Sequence, residues 1–292
     1  MSMPKLTRRT FLRRFLGSLL TVLGLGSGGY YYANRIEPAL LEIKSFIMEH
    51  PQIPKSFEEL RIVQFSDTHL GFHYDIIQFK KLVQKINNLR PDMIFFTGDL
   101  LDEPNKFGGI NQVVLMLQQL EAPLGKFCIF GNHDHGGYGS DIYKNIMETA
   151  NFTVLLNESI QIERDGSSIS LIGIDDRMLG RPNFELAQKK VPEDHFKILL
   201  SHAPDVADEA SHYGIHWQLS GHSHGGQVKI PFLGALVIPP YAKKYPEGYY
   251  SIGENSPLHL YVNRGIGTTR LPFRFLAKPE ITVFTLQTAV KE

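Results

Sequence analysis

Five short clusters of acids, histidines and one asparagine stand out in this chain of 292 residues. They are Asp67-Thr68-His69, Gly98-Asp99-Leu100-Leu101-Asp102, Gly131-Asn132-His133-Asp134, Ser201-His202 and Gly221-His222-Ser223-His224-Gly225, and each follows an apolar run. Residues two apart on extended backbone point the same way, so Asp-x-His can hold one cation between a carboxylate and an imidazole. Asp67, His69, Asp99, Asn132, His202, His222 and His224 offer oxygen and nitrogen donors and no thiolate. That mix suits a pair of Mn, Fe or Zn ions better than Ca or Mg. One cluster alone reads as a satisfied polar pair. Five in succession would oblige a core to desolvate every one of these groups, at roughly several kcal/mol each, unless something bound them.

The elements that must position these clusters are legible as periodicity. Apolar runs at 60–65, 93–97, 127–130, 169–174, 198–200 and 216–219 read as strands. Stretches 75–89, 111–120 and 141–149 carry apolar residues at helical spacing. Strand alternating with helix argues for an α/β core with parallel strands, whose sites form beyond the strand carboxyl ends. The later runs 228–230, 249–252, 258–262 and 281–286 are separated by Gly/Pro turns and leave little room for helices. They predict mostly antiparallel pairing in a second sheet packed on the first. The expected architecture is an α/β sandwich: two mixed β-sheets face to face, flanked by helices, with a dimetal site at the strand C-terminal rim.

The ordered set Asp-x-His, Gly-Asp-x-x-Asp, Gly-Asn-His-Asp, His and Gly-His-x-His resembles the calcineurin-like metallophosphoesterase family over about residues 60–225. Three longer stretches, Gly131 to Gly139, Gly221 to Gln227 and Arg270 to Glu280, resemble its bacterial Tat-exported, membrane- or wall-associated branch. That branch is similar to phosphodiesterases and to enzymes acting on the pyrophosphate of UDP-2,3-diacylglucosamine. The resemblance implies two divalent ions. Asp67, His69, Asp99 and His224 would hold one, and Asp99 would bridge to a second held by Asn132, His202 and His222. It implies that hydroxide formed on the ions attacks phosphorus, and that His133 stabilises the phosphoryl oxygens or protonates the leaving group. Asp102 would orient His133. The function this implies is hydrolysis of phosphoesters, a phosphodiesterase first and a pyrophosphohydrolase of a lipid-linked substrate as the alternative.

Other readings are weaker. Gly221-His222-Ser223-His224-Gly225 also fits the serine-hydrolase elbow Gly-x-Ser-x-Gly, but that motif needs a helix after the serine, and a glycine pair with a strand-like run follows here. His135 reads as a substrate contact or a loop hydrogen bond, and Asp175, Asp176 and Arg177 as turn or supporting residues. Arg264, Arg270 and Arg274 read as phosphate contacts or structural partners. Cys128, the sole cysteine, excludes an intrachain disulfide and reads as core.

Charge divides the chain. Residues 1–35 hold six basic residues and no acid, whereas 36–292 hold 24 basic and 30 acidic, a net −6. The body lacks a basic footprint, so no nucleic-acid binding is expected. Thr7-Arg8-Arg9-Thr10-Phe11-Leu12-Arg13, with 20 uncharged residues from Phe15 to Asn34 beyond Arg14, resembles a twin-arginine export signal read by the Tat translocase. Segment 1–35 is therefore expected to be that signal and a possible membrane anchor, with 36–292 as the catalytic domain on the outer face of the cytoplasmic membrane or in the wall.

Overall fold

A computed structural model describes residues 7–135, 140–254 and 257–289. Its first sheet takes β1 (Glu42–His50), β2 (Arg61–Phe65), β3 (Met93–Phe96), β4 (Lys126–Cys128) and β5 (Thr153–Val154). The second takes β6 (Glu158–Arg164), β7 (Ser167–Gly173), β8 (Lys197–Leu200) and β9 (Trp217–Ser220). After a small hairpin of β10 (Lys229–Ile230) and β11 (Gly234–Ala235), β12 (Gly248–Ile252) and β13 (Leu258–Val262) extend that second sheet, and β14 (Glu280–Thr288) returns to the first. The orders are β1-β14-β2-β3-β4-β5 and β12-β13-β9-β8-β7-β6.

Strand β2 shows why the layers stack. Val63 and Phe65 face helices, while Ile62 faces the second sheet. On the outer side, α2 (Ile76–Asn88) buries Phe79, Leu82, Val83 and Ile86 at helical spacing. It starts on a capping box in which Asp75 and Gln78 each accept the other's backbone N–H at 2.8 Å. Helices α3 (Ile110–Leu117), the single turn α4 (Asn132–His135) and α5 (Ser140–Thr149) follow on the same side. Between the sheets lies a core of Ile62, Met93, Phe95, Ile198, Trp217 and Phe284. Helices α6 (Phe184–Gln188) and α7 (Ala207–Ala210) cover the far face of the second sheet.

Two expectations need correction. The second sheet is not mostly antiparallel: β13, β9, β8 and β7 run parallel, and only the outer pairs β12–β13 and β6–β7 are antiparallel. Leu258, Leu260 and Val262 bury one face of β13 and Tyr261 the other, a doubly buried pattern that suits an interior parallel strand. Run 228–230 enters a separate two-stranded hairpin with β11, and run 281–286 does not join the second sheet either. It lies in β14, parallel to β1 and antiparallel to β2, with Ile281 and Val283 under the helices and Phe284 and Leu286 between the sheets. Strand β1 itself is hidden by composition, because charged residues are interspersed along this edge strand and Ile43 and Ile47 stay exposed.

The N-terminal segment forms α1 (Arg8–Tyr31), capped by the Thr7 side chain, and its described side chains are exposed. No described helix is long and apolar enough to cross a membrane.

Candidate metal centre

All five clusters arrive at one rim. Asp67 and His69 follow β2, Asp99 and Asp102 follow β3, and Asn132 and His133 follow β4 of the first sheet. His202 follows β8, and His222 and His224 follow β9, of the second. The centre thus spans both sheets at the carboxyl ends of parallel strands. Gln64 braces the floor, donating across the gap to the Ser220 carbonyl at 3.0 Å.

The ligand loops are tied to one another by backbone. Asp67 N–H donates to Gly98 O at 2.9 Å, and His69 N–H donates to Asp99 O at 3.2 Å. Asp67, His69, Asp99, His222 and His224 all sit at φ between 42° and 70°. Left-handed backbone is unfavourable for such residues, at about 1–3 kcal/mol each, and persists where the surroundings over-determine it.

The donors form two groups around one carboxylate. Asp67 Oδ1 lies 3.5 Å from His224 Nε2 and 4.0 Å from His69 Nε2. His69 Nε2 lies 3.1 Å from His224 Nε2, and His222 Nδ1 lies 3.2 Å from His202 Nε2. Asp99 Oδ2 stands 3.5 Å from His69 Nε2 and 3.3 Å from His202 Nε2, between the groups. All six of these residues are buried. Burial alone would raise the Asp99 carboxyl, but the His202, His133 and His69 imidazoles hold it well below the usual range. Burial works against His202 as well, and Asp99 outweighs it, holding that imidazole well above its ordinary value.

Hydrogen bonds on the far side of the rings reveal which nitrogens face inward. His202 Nδ1 contacts the Thr97 carbonyl at 2.6 Å, and His222 Nε2 contacts the Pro240 carbonyl at 2.9 Å. A carbonyl only accepts, so those nitrogens carry the proton. His202 Nε2 and His222 Nδ1 then face each other as lone pairs, which is favourable only with a proton or a metal ion between them. His69 differs, because its Nδ1 lies 3.3 Å from Asp102 Oδ1 without making a hydrogen bond. Donors bound at about 2.1 Å to one ion stand roughly 3–4 Å apart, as these do. Asn132 lines the same pocket, and its Oδ1 is buried without a hydrogen-bond partner, an orphan acceptor that a cation would satisfy. The residues fit two metal ions.

His133 is not part of this donor set. Its N–H donates to Asp99 Oδ1 at 2.8 Å, and its Nδ1 donates to the Asp102 backbone carbonyl at 2.8 Å, whereas the Asp102 carboxylate stands at 3.6 Å. Asp102 therefore reaches His133 chiefly through its backbone and directs its carboxylate to His69. His135 bonds Asp175 at 2.6 Å, the loop role. Arg264 pairs with Glu280 and Glu42, and buried Arg274 holds the Gly267 and Ala277 carbonyls. Arg270 alone of the three lines the pocket over the donors. After Ser223 comes a short turn and then β10, not the helix of a nucleophile elbow. Cys128 is core. In the Gly131 to Gly139 stretch, residues 136–139 lie outside the described residues.

Sequence reasoning misses Asp134, although it follows His133 in the same cluster. It accepts N–H bonds from Asp99 at 2.7 Å, Gly131 at 2.8 Å and Leu100 at 3.0 Å. Burial and the neighbouring Asp99 charge push its carboxyl up to about 7. Gly131 is a second omission: a Cβ there would lie 2.2 Å from Asp99 Oδ1 and 2.6 Å from Asp99 N. Gly131→Ala should therefore displace the shared carboxylate at an overpacking cost of about 1–3 kcal/mol. Elemental analysis and a thermal melt check this. Reduced metal in a chain that still melts cooperatively is the expected result, and full occupancy contradicts it.

Comparison with known proteins agrees with this geometry. A model of the calcineurin-like phosphoesterase family matches residues 60–226. Over 287 residues the chain is 45% identical to YkuE, an uncharacterized metallophosphoesterase of Bacillus subtilis, covering 98% of this chain and 99% of that one. It is 30% identical over 263 residues to an Aquifex aeolicus metallophosphoesterase, covering 87% and 95%. Over 322 residues it is 29% identical to LpxG of Chlamydia trachomatis, a UDP-2,3-diacylglucosamine pyrophosphatase, covering 90% and 94%.

Proposed function

The chain belongs to the calcineurin-like phosphoesterase family, and from that premise we propose that it hydrolyses phosphodiesters outside the cytoplasmic membrane. It is a phosphoric ester hydrolase of a family with a dinuclear metal site. The observation that carries the reading is Asp99, whose Oδ2 faces His69 of one donor group and His202 of the other. Asp67, His69, His224 and Asp99 would hold one ion, and Asp99, Asn132, His202 and His222 the other. Mn, Fe or Zn suits these donors. When bound, such ions polarise phosphoryl oxygens and acidify water.

The protein's own groups position and protonate. The carbonyl of Asp102 fixes His133 Nδ1–H, which leaves Nε2 to serve the departing oxygen at the pocket. Beyond the donors and His133, the pocket is lined by Met178, Val237, Pro239, Thr269 and Arg270. One guanidinium among largely apolar walls suits a singly charged diester with a bulky second substituent better than a dianionic monoester. Bis(p-nitrophenyl) phosphate and p-nitrophenyl phosphate, offered to Mn-loaded protein, separate these. Faster diester cleavage supports the reading, and the reverse order overturns it.

A pyrophosphohydrolase of a UDP-2,3-diacylglucosamine-like or other lipid-linked substrate is the second reading. Arg270 favours it, since it makes no ion pair among the described residues and could take a second phosphate. The LpxG relatives carry that activity in their name.

Export by the Tat translocase is supported by the exposed Arg8 and Arg9 in the first turn of α1. Cations there oppose the helix dipole, so local stability does not explain them. Replacing both with Lys keeps the charge and should strand the protein inside the cell, as fractionation would read. Unchanged export would reject this route.

A further inference from the structure

The β10–β11 hairpin is short, with only Lys229–Ala235 and Ile230–Gly234 paired, yet its tip is Pro231-Phe232-Leu233. Phe232 is 108% exposed and Leu233 81%, and Leu236, Val237, Leu271 and Leu276 are exposed nearby in sequence or across the pocket. Phe232 also takes φ 69°, which is strained for an aromatic residue. Large apolar side chains exposed together in this way mark an interaction site. The hairpin is bound to the loop after β13, where Lys229 N–H donates to Phe275 O and Phe275 N–H donates to Gln227 O, both at 2.9 Å. That loop in turn holds the base of α1: Arg274 N–H donates to Ala33 O at 2.9 Å, and Tyr30 packs edge-on against Phe273 at 5.3 Å. Hairpin, loop and helix base are one connected rim.

Two observations identify what covers it. First, of the bases near this rim Lys229 pairs with Glu247 and Lys244 with Asp208, while Arg8, Arg9, Arg13 and Arg14 stand at the far end of the 24-residue α1. Arg264 and Arg274 are engaged internally, but Arg35, Lys243 and Arg270 are exposed. An apolar tip framed by cations complements an anionic lipid surface. Secondly, a groove of about 260 Å³ runs between Val228, Leu236, Val237 and Leu271 and shares His224 and Arg270 with the metal pocket. An apolar channel opening onto a phosphoester site is shaped for an amphipath, with the phosphate at the ions and the tail in the groove.

We propose that this rim docks on an anionic bilayer and draws phosphoesters of membrane lipids from it, the acyl part lying in the Val228–Leu271 groove. The docking stands by itself, whereas the substrate class rests on the hydrolase reading above. The test uses the full chain with Phe232→Trp, since the native Trp217 is buried and serves as the internal control. On vesicles of phosphatidylethanolamine and phosphatidylglycerol with brominated acyl chains, the new indole should lose most of its emission and Trp217 should not. An unquenched indole on protein that sediments with vesicles would mean that α1 binds alone, and overturns docking by the rim. So does an indole shielded without lipid in a manner reversed by dilution, which would assign the surface to a second copy of the chain. Phe232→Glu with Leu233→Glu should keep cleavage of bis(p-nitrophenyl) phosphate and lose cleavage of phospholipid in vesicles. Equal retention of both overturns the substrate class. A chain inactive on every ester, with the introduced indole of Phe232→Trp still quenched, would instead fault the hydrolase reading and leave docking intact.

Discussion

Asp99→Ala is expected to bring turnover to background and to lower bound metal below that of the native chain. Among the described residues its carboxylate is the only one that faces both donor groups, at 3.5 Å from His69 Nε2 and 3.3 Å from His202 Nε2. Removing it deprives both ions of a ligand at once and leaves the inward imidazole nitrogens without their counter-charge. The loss should exceed the roughly 10–100-fold that follows removal of a residue merely supporting a ligand. Asp134→Asn offers the comparison, because it disturbs the backbone N–H bonds under Asp99 and leaves the shared carboxylate in place. Elemental analysis together with diester turnover decides. Two fully occupied sites in Asp99→Ala would end the bridging assignment.

His133→Ala should separate metal binding from catalysis. The ring contacts the Asp102 carbonyl, lies edge-on to His69 at 4.5 Å and groups with His69 and Asp102, whereas the Asp67–His69–His224 and Asp99–His202–His222 groups close without it. Metal content should therefore stay near two ions per chain, and turnover should fall at least about 10²-fold, the typical worth of a positioned acid. If its main work is protonating the leaving oxygen, the loss should shrink for nitrophenolate and grow for alkoxides. Since Asp102 holds His133 by its backbone, Asp102→Asn should cost less than His133→Ala. Native turnover on an alkyl diester by metal-loaded His133→Ala would make this residue structural.

Much of this centre is legible because metal chemistry constrains residue type and strand ends constrain place. Asp67, His69, Asp99, Asn132, His202, His222 and His224 can be read from clusters behind apolar runs, and the structure brings them to one rim. Sheet membership is less legible. Periodicity marks β13 and β14 as strands, but only the burial of both faces, by Tyr261 opposite Leu260 and Phe284 opposite Val283, decides that they are interior. Supporting roles are the hardest to read. Asp134 acts by accepting backbone N–H groups, Gly131 by lacking a Cβ, and Asp102 on His133 by a carbonyl, and none of these has a side-chain signature. Arg274, open in sequence to a phosphate contact, is a buried clamp on loop carbonyls.

The most direct test of the central claim is metal content and diester turnover followed on the same samples through chelation and reconstitution. With Asp99 shared by two ions, turnover should vanish on stripping and return only as occupancy approaches about two ions per chain. Full turnover in protein stripped of metal would contradict the account.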